Sequence, residues 1–282
     1  MTTRESMLLG LIGEGISASR TPRMHEAEGE FHGIRTTYRI LDVTAPTRRG
    51  VDLGELVTAA VRMGFNGLNV THPFKQRVLD LLDAVDPGAQ RIGSVNTVVI
   101  GDDGTTTGFN TDVTGFARGF SEGLAGAATA RVVQIGAGGA GRAVAFALAG
   151  LGVGELVIAD VSAERAEGLA SDIGAGVRAI SMDELEEAVT SADGIVNATP
   201  VGMAAFPGTP CDTGLLDPRK WVADVVYFPL ETQLLREARD KGCRTLDGSG
   251  MAVNQAVDAF ELFSGVSASP ERMRETFLSF GA

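Results

Sequence analysis

The sequence predicts an α/β protein of two lobes, each with its own sheet. Its 282 residues are more than one typical domain needs and suit two. Short apolar runs of strand length alternate with helical segments along most of the chain, which is typical of parallel sheets with right-handed crossovers. A glycine-rich turn near the middle divides this alternation. We therefore expect a first domain at residues 1–112, completed by helices at about residues 253–282, and a second domain at residues 113–252. The default ligand site is a cleft between the lobes.

The first domain is predicted from apolar runs separated by helix and turn signals. Its strands are expected at residues 7–12, 37–43, 67–70, 95–100 and 106–109. Its helices are expected at residues 22–31, 53–63 and 75–82. The first of these helices follows Thr21, a residue type that caps helices, and has Pro22 at its first position. Asp102-Asp103-Gly104 is a turn signal that joins the last two strands into a β-hairpin.

The second domain repeats a strand–helix unit more regularly. A helix is expected from Asp112 to about Gly123, followed by a linker of small residues. Strands are expected at residues 131–135, 155–159, near 180, 194–196, 221–226 and 244–246. Helices are expected at residues 139–149, 163–173, 183–189 and 232–241. Residues 251–280 predict two further helices, split near Pro270.

The glycine-rich turn is the most specific signal in the chain. Residues 136–141, Gly-Ala-Gly-Gly-Ala-Gly, fit G-x-G-x-x-G between an apolar strand and an alanine-rich helix. Gly136 allows the tight turn, Gly138 lets backbone approach a pyrophosphate, and Gly141 lets the helix pack against the strand. The helix then directs its first N–H groups at the phosphates. The pattern predicts a Rossmann-type, doubly wound domain that binds a dinucleotide.

The acid after the second strand of this unit bears on the choice of cofactor. Asp160 follows Gly141 at a spacing of about 20 residues, where an acid hydrogen-bonds the adenosine ribose 2′-OH. A carboxylate there repels the 2′-phosphate of NADP, so the sequence favours NAD. Arg165 has two interpretations: it lines the adenosine site, or it sits on the exposed first turn of the next helix.

Composition excludes several other classes of protein. The formal net charge of −12 makes nucleic acid or an anionic membrane surface an improbable partner. The two cysteines, Cys211 and Cys243, lack a neighbour at metal-ligand spacing, and we expect reduced thiols and no metal. His25 and His32 fall on the first predicted helix, where a structural role is expected. No apolar run reaches membrane-helix length, and the N-terminus lacks a signal-peptide core, so a cytoplasmic protein is predicted.

Polar residues at strand ends of the first domain suggest a reaction. Lys75 follows one strand, Asn96 begins the next, and Asp112 follows a third. Together they suit the binding of a polyol and the movement of a proton, with Lys75 as general acid/base and Asp112 bonded to a substrate hydroxyl. The alternative for each is plain: Asp112 caps a helix, and Lys75 is a solvated surface residue.

Several segments resemble the signature motifs of the shikimate dehydrogenase family. They are GFNGLNVTHPFK at residues 64–75, GSVNT at 93–97, GFNTDVTG at 108–115, NATPVGM at 197–203 and DGSGM at 247–251. The resemblance runs through essentially the whole chain in order. It implies oxidation of a ring hydroxyl on a cyclohexane or cyclohexene carboxylate, with hydride passing to a nicotinamide cofactor.

The resemblance also implies roles for individual residues. Lys75 and Asp112 would be the catalytic pair. The residues implied at the substrate are Ser19, Thr21, Thr71, Asn96, Tyr227 and Gln255. The motif and the resemblance together place at the cofactor Gly136, Ala137, Gly138, Gly139, Ala140, Asp160, Arg165, Asn197, Thr199, Pro200, Met203, Val225, Gly248 and Met251.

Two departures from the commoner family pattern point to a subgroup. The family's Ser-x-Ser-Pro is here Ser19-Arg20-Thr21-Pro22, and the Asn-Arg-Thr of NADP-using members is here Asp160-Val161-Ser162. Both resemble the NAD-dependent quinate/shikimate dehydrogenases of actinobacterial type. The leading hypothesis is therefore an NAD-dependent quinate/shikimate dehydrogenase, a monomer or homodimer. The rivals are an NADP-dependent biosynthetic shikimate dehydrogenase and a catalytically silent paralogue that senses ligand.

Overall fold

A computed structural model describes residues 5–279 of the chain. The parts of the predictions that fall on residues 1–4 and 280–282 lie outside the described residues. The described chain forms two compact units. Unit 1 takes the chain up to Thr111 together with the chain from Val253 onward, and unit 2 takes Asp112–Ala252.

Unit 1 begins with two strand–helix pairs and a third strand. These are β1 (Ser6–Gly13), α1 (Thr21–Phe31), β2 (Arg35–Asp42), α2 (Leu53–Arg62) and β3 (Gly67–Val70). The chain continues through β4 (Ala84–Val85), α3 (Pro87–Ile92), β5 (Thr97–Ile100) and β6 (Thr106–Phe109). The six strands lie in the order β2-β1-β3-β5-β6-β4. Alternating apolar residues of these strands, such as Leu68, Val70 and Val98, bury one face against α2 and α3.

The sheet of unit 1 is mixed: the predicted parallel pairing is found among β1, β2 and β3, and the predicted hairpin makes β5 and β6 antiparallel. β5 runs antiparallel to both β3 and β6, whereas β1 pairs parallel with β2 and β3. The reason is the short connection at Gly104, which turns β5 directly into β6 and leaves no length for a crossover. The predicted hairpin is present.

The helix predicted at residues 75–82 was wrong. Turns follow β3, and only a 3₁₀ turn forms, at Leu79–Leu81. In an α-helix the carbonyl oxygen of Lys75 would accept from the N–H four residues later. Here it accepts from the Val95 N–H at 2.8 Å, while the Leu79 N–H bonds Gln76 O at 3.3 Å. A tertiary contact therefore replaces the helical ladder.

Two further local predictions need correction. Thr21 lies inside α1 instead of capping it, and its N–H donates to Ser19 Oγ at 3.3 Å. β4 and α3 were not predicted, although Asp86 caps α3 and Pro87 begins it. His25 on α1 is fully buried between Tyr38 and two phenylalanines, and burial lowers its pKa to about 3.

Unit 2 has the strand order expected of a doubly wound dinucleotide-binding sheet. Its elements are α4 (Thr111–Gly123), β7 (Arg131–Ile135), α5 (Gly139–Gly150), β8 (Glu155–Ala159), α6 (Ala163–Ile173), β9 (Val177–Ile180), α7 (Leu185–Ser191), β10 (Gly194–Asn197), β11 (Trp221–Asp224), α8 (Gln233–Asp240) and β12 (Arg244–Leu246). All six strands are parallel, in the order β12-β11-β10-β7-β8-β9. The direction of winding reverses between β7 and β10, the switch point at which such sheets bind ligands.

Period-two alternation in these strands builds a core on each face of the sheet. Val132 and Leu156 face one cluster with Trp221, whereas Val133 and Val157 face another. The chain ends with α9 (Ser249–Ser264) and α10 (Pro270–Leu278), which confirms two helices split near Pro270. The α/β fold class with two sheets is confirmed.

Candidate active site

The antiparallel strand β5 brings three chain segments to one edge of the unit 1 sheet. Asn69 of β3 pairs with Thr97 of β5, and Thr97 pairs with Phe109 of β6. Since β5 starts where β3 and β6 end, Asn96 lies beside the segments that follow those two strands. The Val70 N–H accordingly donates to Asn96 O at 2.8 Å.

Asn96 is tied to the residue that precedes Asp112. Its Oδ1 accepts from the Thr111 N–H at 2.8 Å, and its Nδ2 donates to Thr111 Oγ1 at 2.9 Å. Thr97 Oγ1 also donates to Asn96 Oδ1, at 3.0 Å. Asn96 is 3% exposed and Asp112 5%. The amide therefore fixes the start of α4, where Asp112 occupies the first turn.

Lys75 and Thr71 lie in the turns that follow β3, and both are half-buried. The Thr71 N–H donates to Ile12 O at 2.9 Å, which ties the turn to the end of β1. The bond from Val95 to the carbonyl of Lys75 ties its other end to the approach to β5. The Lys75 backbone is thus held beside the strand that begins after Asn96.

The segment with Ser19 and Thr21 follows β1 and is anchored by an aspartate that the sequence analysis missed. Asp42, at the end of β2, accepts from the N–H groups of Gly15 and Ile16 at 3.1 and 3.0 Å. Burial raises the pKa of Asp42, but these bonds and those from Thr44 outweigh it and hold the pKa below its usual value. Asp42 is therefore a charged anchor for the turn.

Arg20 secures the same segment from its other side. Its Nη1 donates to Phe277 O at 3.0 Å, and its guanidinium lies 4.9 Å from the centre of the Phe277 ring. Arg20 is 7% exposed. Its contacts with Phe277 therefore hold the backbone between Ser19 and Thr21, the two residues that carry the hydroxyls. The signal for this role was the position of Arg20 inside the Ser-x-Thr-Pro motif.

The glycine turn of unit 2 fits a dinucleotide. Gly136 has φ +106°, and a Cβ there would lie 2.7 Å from Ala198 O across the switch point. No heavy atom lies within 4 Å of where a Cβ on Gly138 would be, which leaves room for a ligand against the backbone. α5 starts at Gly139 without a side-chain cap, so its first N–H groups suit an anion.

Asp160 is bonded to this turn. Its Oδ2 accepts from the Ala137 N–H at 2.7 Å and its Oδ1 from the Ser162 N–H at 2.8 Å. A carboxylate offers about four lone-pair sites, so acceptor capacity remains for ribose hydroxyls. Arg165 is exposed on the first turn of α6.

The other residues assigned to the cofactor, together with Tyr227 and Gln255 assigned to the substrate, lie in two places. These are the carboxyl ends of β10 and β11 with the loops that follow them, and α9 with the residue before it. The Val225 N–H donates to Asn197 O at 3.0 Å, and Thr199 hydrogen-bonds the Asn197 side chain. Met203 and Tyr227 are 40% and 42% exposed. Pro200 lies in the first of these loops, Gly248 and Met251 lie at the start of α9, and Gln255 is half-buried on α9. A Cβ on Gly248 would lie 2.6 Å from Val225 O, so these two residues are brought together.

Two buried polar residues of unit 2 were not predicted. Gln134 Nε2 donates to Gly136 O and Gly141 O, both at 2.8 Å, and so spans the glycine turn. Asp224 ends β11, and burial raises its pKa to about 6 against hydrogen bonds that lower it. The sequence did carry a signal for both residues. Each is a polar residue in a strand that is otherwise apolar: Gln134 lies inside β7, and Asp224 ends β11.

Other kinds of site find no support in the part of the chain that the structure describes. Between residues 5 and 279, no three His, Cys, Asp or Glu side chains are grouped so that they could hold a metal ion. Over the same residues, no helix combines the length and apolarity needed to cross a membrane.

Three protein families match successive parts of the chain. They are described as the shikimate dehydrogenase substrate binding domain (residues 11–98), shikimate/quinate 5-dehydrogenase (residues 121–204) and the shikimate 5′-dehydrogenase C-terminal domain (residues 248–276).

Individual relatives are similar over nearly their full length. A quinate/shikimate dehydrogenase (NAD(+)) of Corynebacterium efficiens is 58% identical over 280 residues, 98% of this chain and 99% of that protein. A shikimate dehydrogenase (NADP(+)) of an Arthrobacter species is 51% identical over 283 residues, 99% of this chain and 96% of that protein. The structure of quinate dehydrogenase from Corynebacterium glutamicum in complex with NAD has a TM-score of 0.93 and 53% identity, covering 97% of this chain and 99% of that one.

Proposed function

The chain belongs to the shikimate dehydrogenase family, and we propose that within it the chain works as an NAD-dependent quinate/shikimate dehydrogenase. The reaction is the reversible oxidation of quinate to 3-dehydroquinate and of shikimate to 3-dehydroshikimate. NAD is the cofactor, in line with the relatives of highest similarity reported above. The observation that carries this choice over NADP is Asp160, whose carboxylate is fixed against the glycine turn by the Ala137 N–H.

We assign dinucleotide binding to unit 2 and most of the substrate-binding residues to unit 1. The hydroxyls of Ser19 and Thr21 bind the substrate carboxylate. Asp42 anchors the same segment at Gly15, and the Arg20 side chain anchors it at Phe277 O. Thr71 and Asn96 bind ring hydroxyls from the edge of the sheet. Tyr227 and Gln255 complete the substrate contacts.

The oxidation removes a proton from the reacting hydroxyl and a hydride from the carbon that carries it. NAD⁺, when bound, would supply the acceptor for the hydride that leaves the ring carbon carrying the reacting hydroxyl. Lys75 takes the proton of that hydroxyl as the general base, so that the C–O bond becomes a carbonyl. Asp112 accepts a hydrogen bond from the substrate hydroxyl and orients it. The hydrogen bonds between Asn96 and Thr111 keep the start of α4 fixed during the proton transfer.

The cofactor contacts follow from the loops at the carboxyl ends of the strands. The glycine turn and the first turn of α5 hold the pyrophosphate. Asp160 binds the adenosine ribose, with Arg165 near it on α6. The nicotinamide half is assigned to Asn197, Thr199, Pro200, Met203, Val225, Gly248 and Met251.

The test is an initial-rate assay of quinate and of shikimate, each with NAD⁺ and with NADP⁺, at several pH values. Turnover of both acids with NAD⁺ and little with NADP⁺ is expected. Turnover of shikimate alone with a preference for NADP⁺ would place the chain with the biosynthetic enzymes, as in the Arthrobacter relative. NAD binding without turnover of either acid would favour the silent, ligand-sensing paralogue. A cytoplasmic location and a monomeric or homodimeric state stay predictions, the latter measured by light scattering.

A further inference from the structure

A buried aspartate joins the carboxyl ends of β10 and β11. Asp224 ends β11 and pairs in register with Asn197, the last residue of β10. Its Oδ1 accepts from Asn197 Nδ2 at 2.9 Å and from the Val226 N–H at 3.0 Å. Its Oδ2 accepts from the Thr232 hydroxyl at 2.7 Å. Asp224 is 2% exposed and Thr232 1%, so water cannot replace these bonds if one partner is lost.

The Asn197 side chain extends this anchor into the loop after β10. Its Nδ2 also donates to Val201 O at 2.8 Å. Its Oδ1 accepts from the N–H and the hydroxyl of Thr199, at 3.0 and 2.7 Å. A single amide, itself held by Asp224, therefore orders the backbone of residues 197–201.

Thr232 extends the anchor into the segment after β11. It is the N-cap of α8, where its Oγ1 accepts from the Leu235 N–H at 3.3 Å. A Cβ on Gly202 would lie 3.2 Å from Thr232 Cγ2 and 3.8 Å from Asp224 Oδ2. The backbone of Gly202, at φ +109°, is thus packed against the bonded pair. Tyr227 lies in the segment that Asp224 and Thr232 close at its two ends.

We propose that Asp224, acting with Thr232, is a positioning residue for the nicotinamide half of the cofactor. The pair holds in one arrangement the two loops that carry Thr199, Met203 and Tyr227. This inference rests on the proposed function, which assigns those loops to the nicotinamide and to the substrate. The adenosine half is assigned to Asp160 and the glycine turn, whose anchoring bonds run through Ala137 and Ser162 instead.

The test compares two ligands that share the adenosine and pyrophosphate groups. Thr232→Val keeps the side-chain shape and removes the hydroxyl, whereas Thr232→Ser keeps the hydroxyl. The dissociation constants of NAD⁺ and of ADP-ribose, which lacks nicotinamide, are measured by calorimetry on the full chain. In Thr232→Val we expect the dissociation constant of NAD⁺ to rise about tenfold, equivalent to about 1.4 kcal/mol. The dissociation constant of ADP-ribose should stay within about twofold of the wild-type value. Thr232→Ser should restore NAD⁺ binding.

Thr190→Val is the matched control, because it removes a threonine hydroxyl from the exposed surface of α7 in the same unit. It should leave both constants unchanged. Asp224→Ala should reproduce the Thr232→Val pattern where it folds. Equal weakening of both ligands in Thr232→Val would indicate general destabilisation and overturn the inference, as would unchanged NAD⁺ binding. Because binding is measured without quinate or shikimate, failure of the wild-type protein to oxidise either acid would refute the proposed function separately.

Discussion

Replacing Asp160 with alanine should shift the preference of the enzyme from NAD⁺ toward NADP⁺. In the wild type, a 2′-phosphate at the adenosine ribose would meet the Asp160 carboxylate. Two unit charges about 4 Å apart repel by about 4 kcal/mol at the effective dielectric constant of a protein surface. Asp160 is half-buried, and solvent screening reduces this repulsion. We therefore expect its removal to favour NADP⁺ by about 1.4 kcal/mol, or about tenfold.

The same substitution should weaken NAD⁺. It removes the acceptor for the ribose hydroxyls and for the Ala137 N–H, which is bonded at 2.7 Å. Hydrogen bonds of this kind contribute about 1 kcal/mol each, so kcat/KM with NAD⁺ should fall by about tenfold. The lost bond to Ala137 weakens both cofactors and cancels in their ratio, whereas the lost ribose bond of about 1 kcal/mol, about fivefold, does not. The ratio of kcat/KM for NAD⁺ to that for NADP⁺ should then fall by about 50-fold, the product of this loss and the tenfold gain for NADP⁺.

The assay measures initial rates with quinate and varied concentrations of each cofactor. Asp172→Ala is the matched control: it removes an acidic residue from α6, where Asp172 pairs with Arg142 at 2.8 Å. It changes net charge equally and should leave the cofactor ratio within about twofold. A ratio in Asp160→Ala that matches this control would refute the role assigned to Asp160.

Three other substitutions test the site and its supports. Lys75→Ala should abolish turnover while NAD⁺ binding, measured by calorimetry, stays within about threefold, because the lysine acts on the proton and not on the cofactor; an unchanged rate would contradict its role. Arg20→Met should raise KM for quinate by about tenfold through loss of its bond to Phe277 O at 3.0 Å, leaving KM for NAD⁺ unchanged in the same rate assay. In thermal melts at several pH values, the wild type should lose stability at acid pH as Glu28 is protonated, and Glu28→Gln should not show this loss. Burial raises the pKa of Glu28, but hydrogen bonds from Arg272 and a backbone amide outweigh it and lower the pKa below 4.5. The wild type should therefore hold this stabilisation above pH 4.5 and lose it as pH falls through the lowered value; parallel curves for wild type and variant would contradict this.

Unit 2 could be predicted almost element by element because its signals are local. Each strand is a short apolar run, and the glycine turn combines three sterically required positions with a fixed distance to Asp160. The comparisons confirm the family that these residues indicated, and the similar proteins include an NAD(+)-dependent quinate/shikimate dehydrogenase. Arg165 is exposed on the first turn of α6, and its place at the adenosine site stays a prediction.

The misses in unit 1 come from contacts between residues distant in sequence. The turn at Lys75 is non-helical because Val95 takes its carbonyl oxygen, and no local pattern in residues 75–82 encodes that bond. β4 has two residues, too few for a recognisable alternation. The antiparallel pairing of β5 with β6 was predicted, because the turn signal Asp102-Asp103-Gly104 indicated a hairpin between these strands.

Three aspartates lie at strand ends, and the sequence identified the cofactor role of Asp160 but not the anchoring roles of Asp42 and Asp224. Asp42, Asp160 and Asp224 each follow or end a parallel strand, and each accepts a backbone N–H from the loop beyond it, that of Thr44, Ser162 or Val226. The structure separates them by their other partners. The donors to Asp42 outweigh its burial and lower its pKa, whereas the burial of Asp224 outweighs its donors and raises its pKa to about 6. Asp160 combines an anchoring bond with remaining acceptor capacity beside an open glycine backbone. Its spacing from the glycines made it predictable, because α5 and β8 fill that interval in sequence. An anchoring role depends on strand register, which only the folded chain supplies.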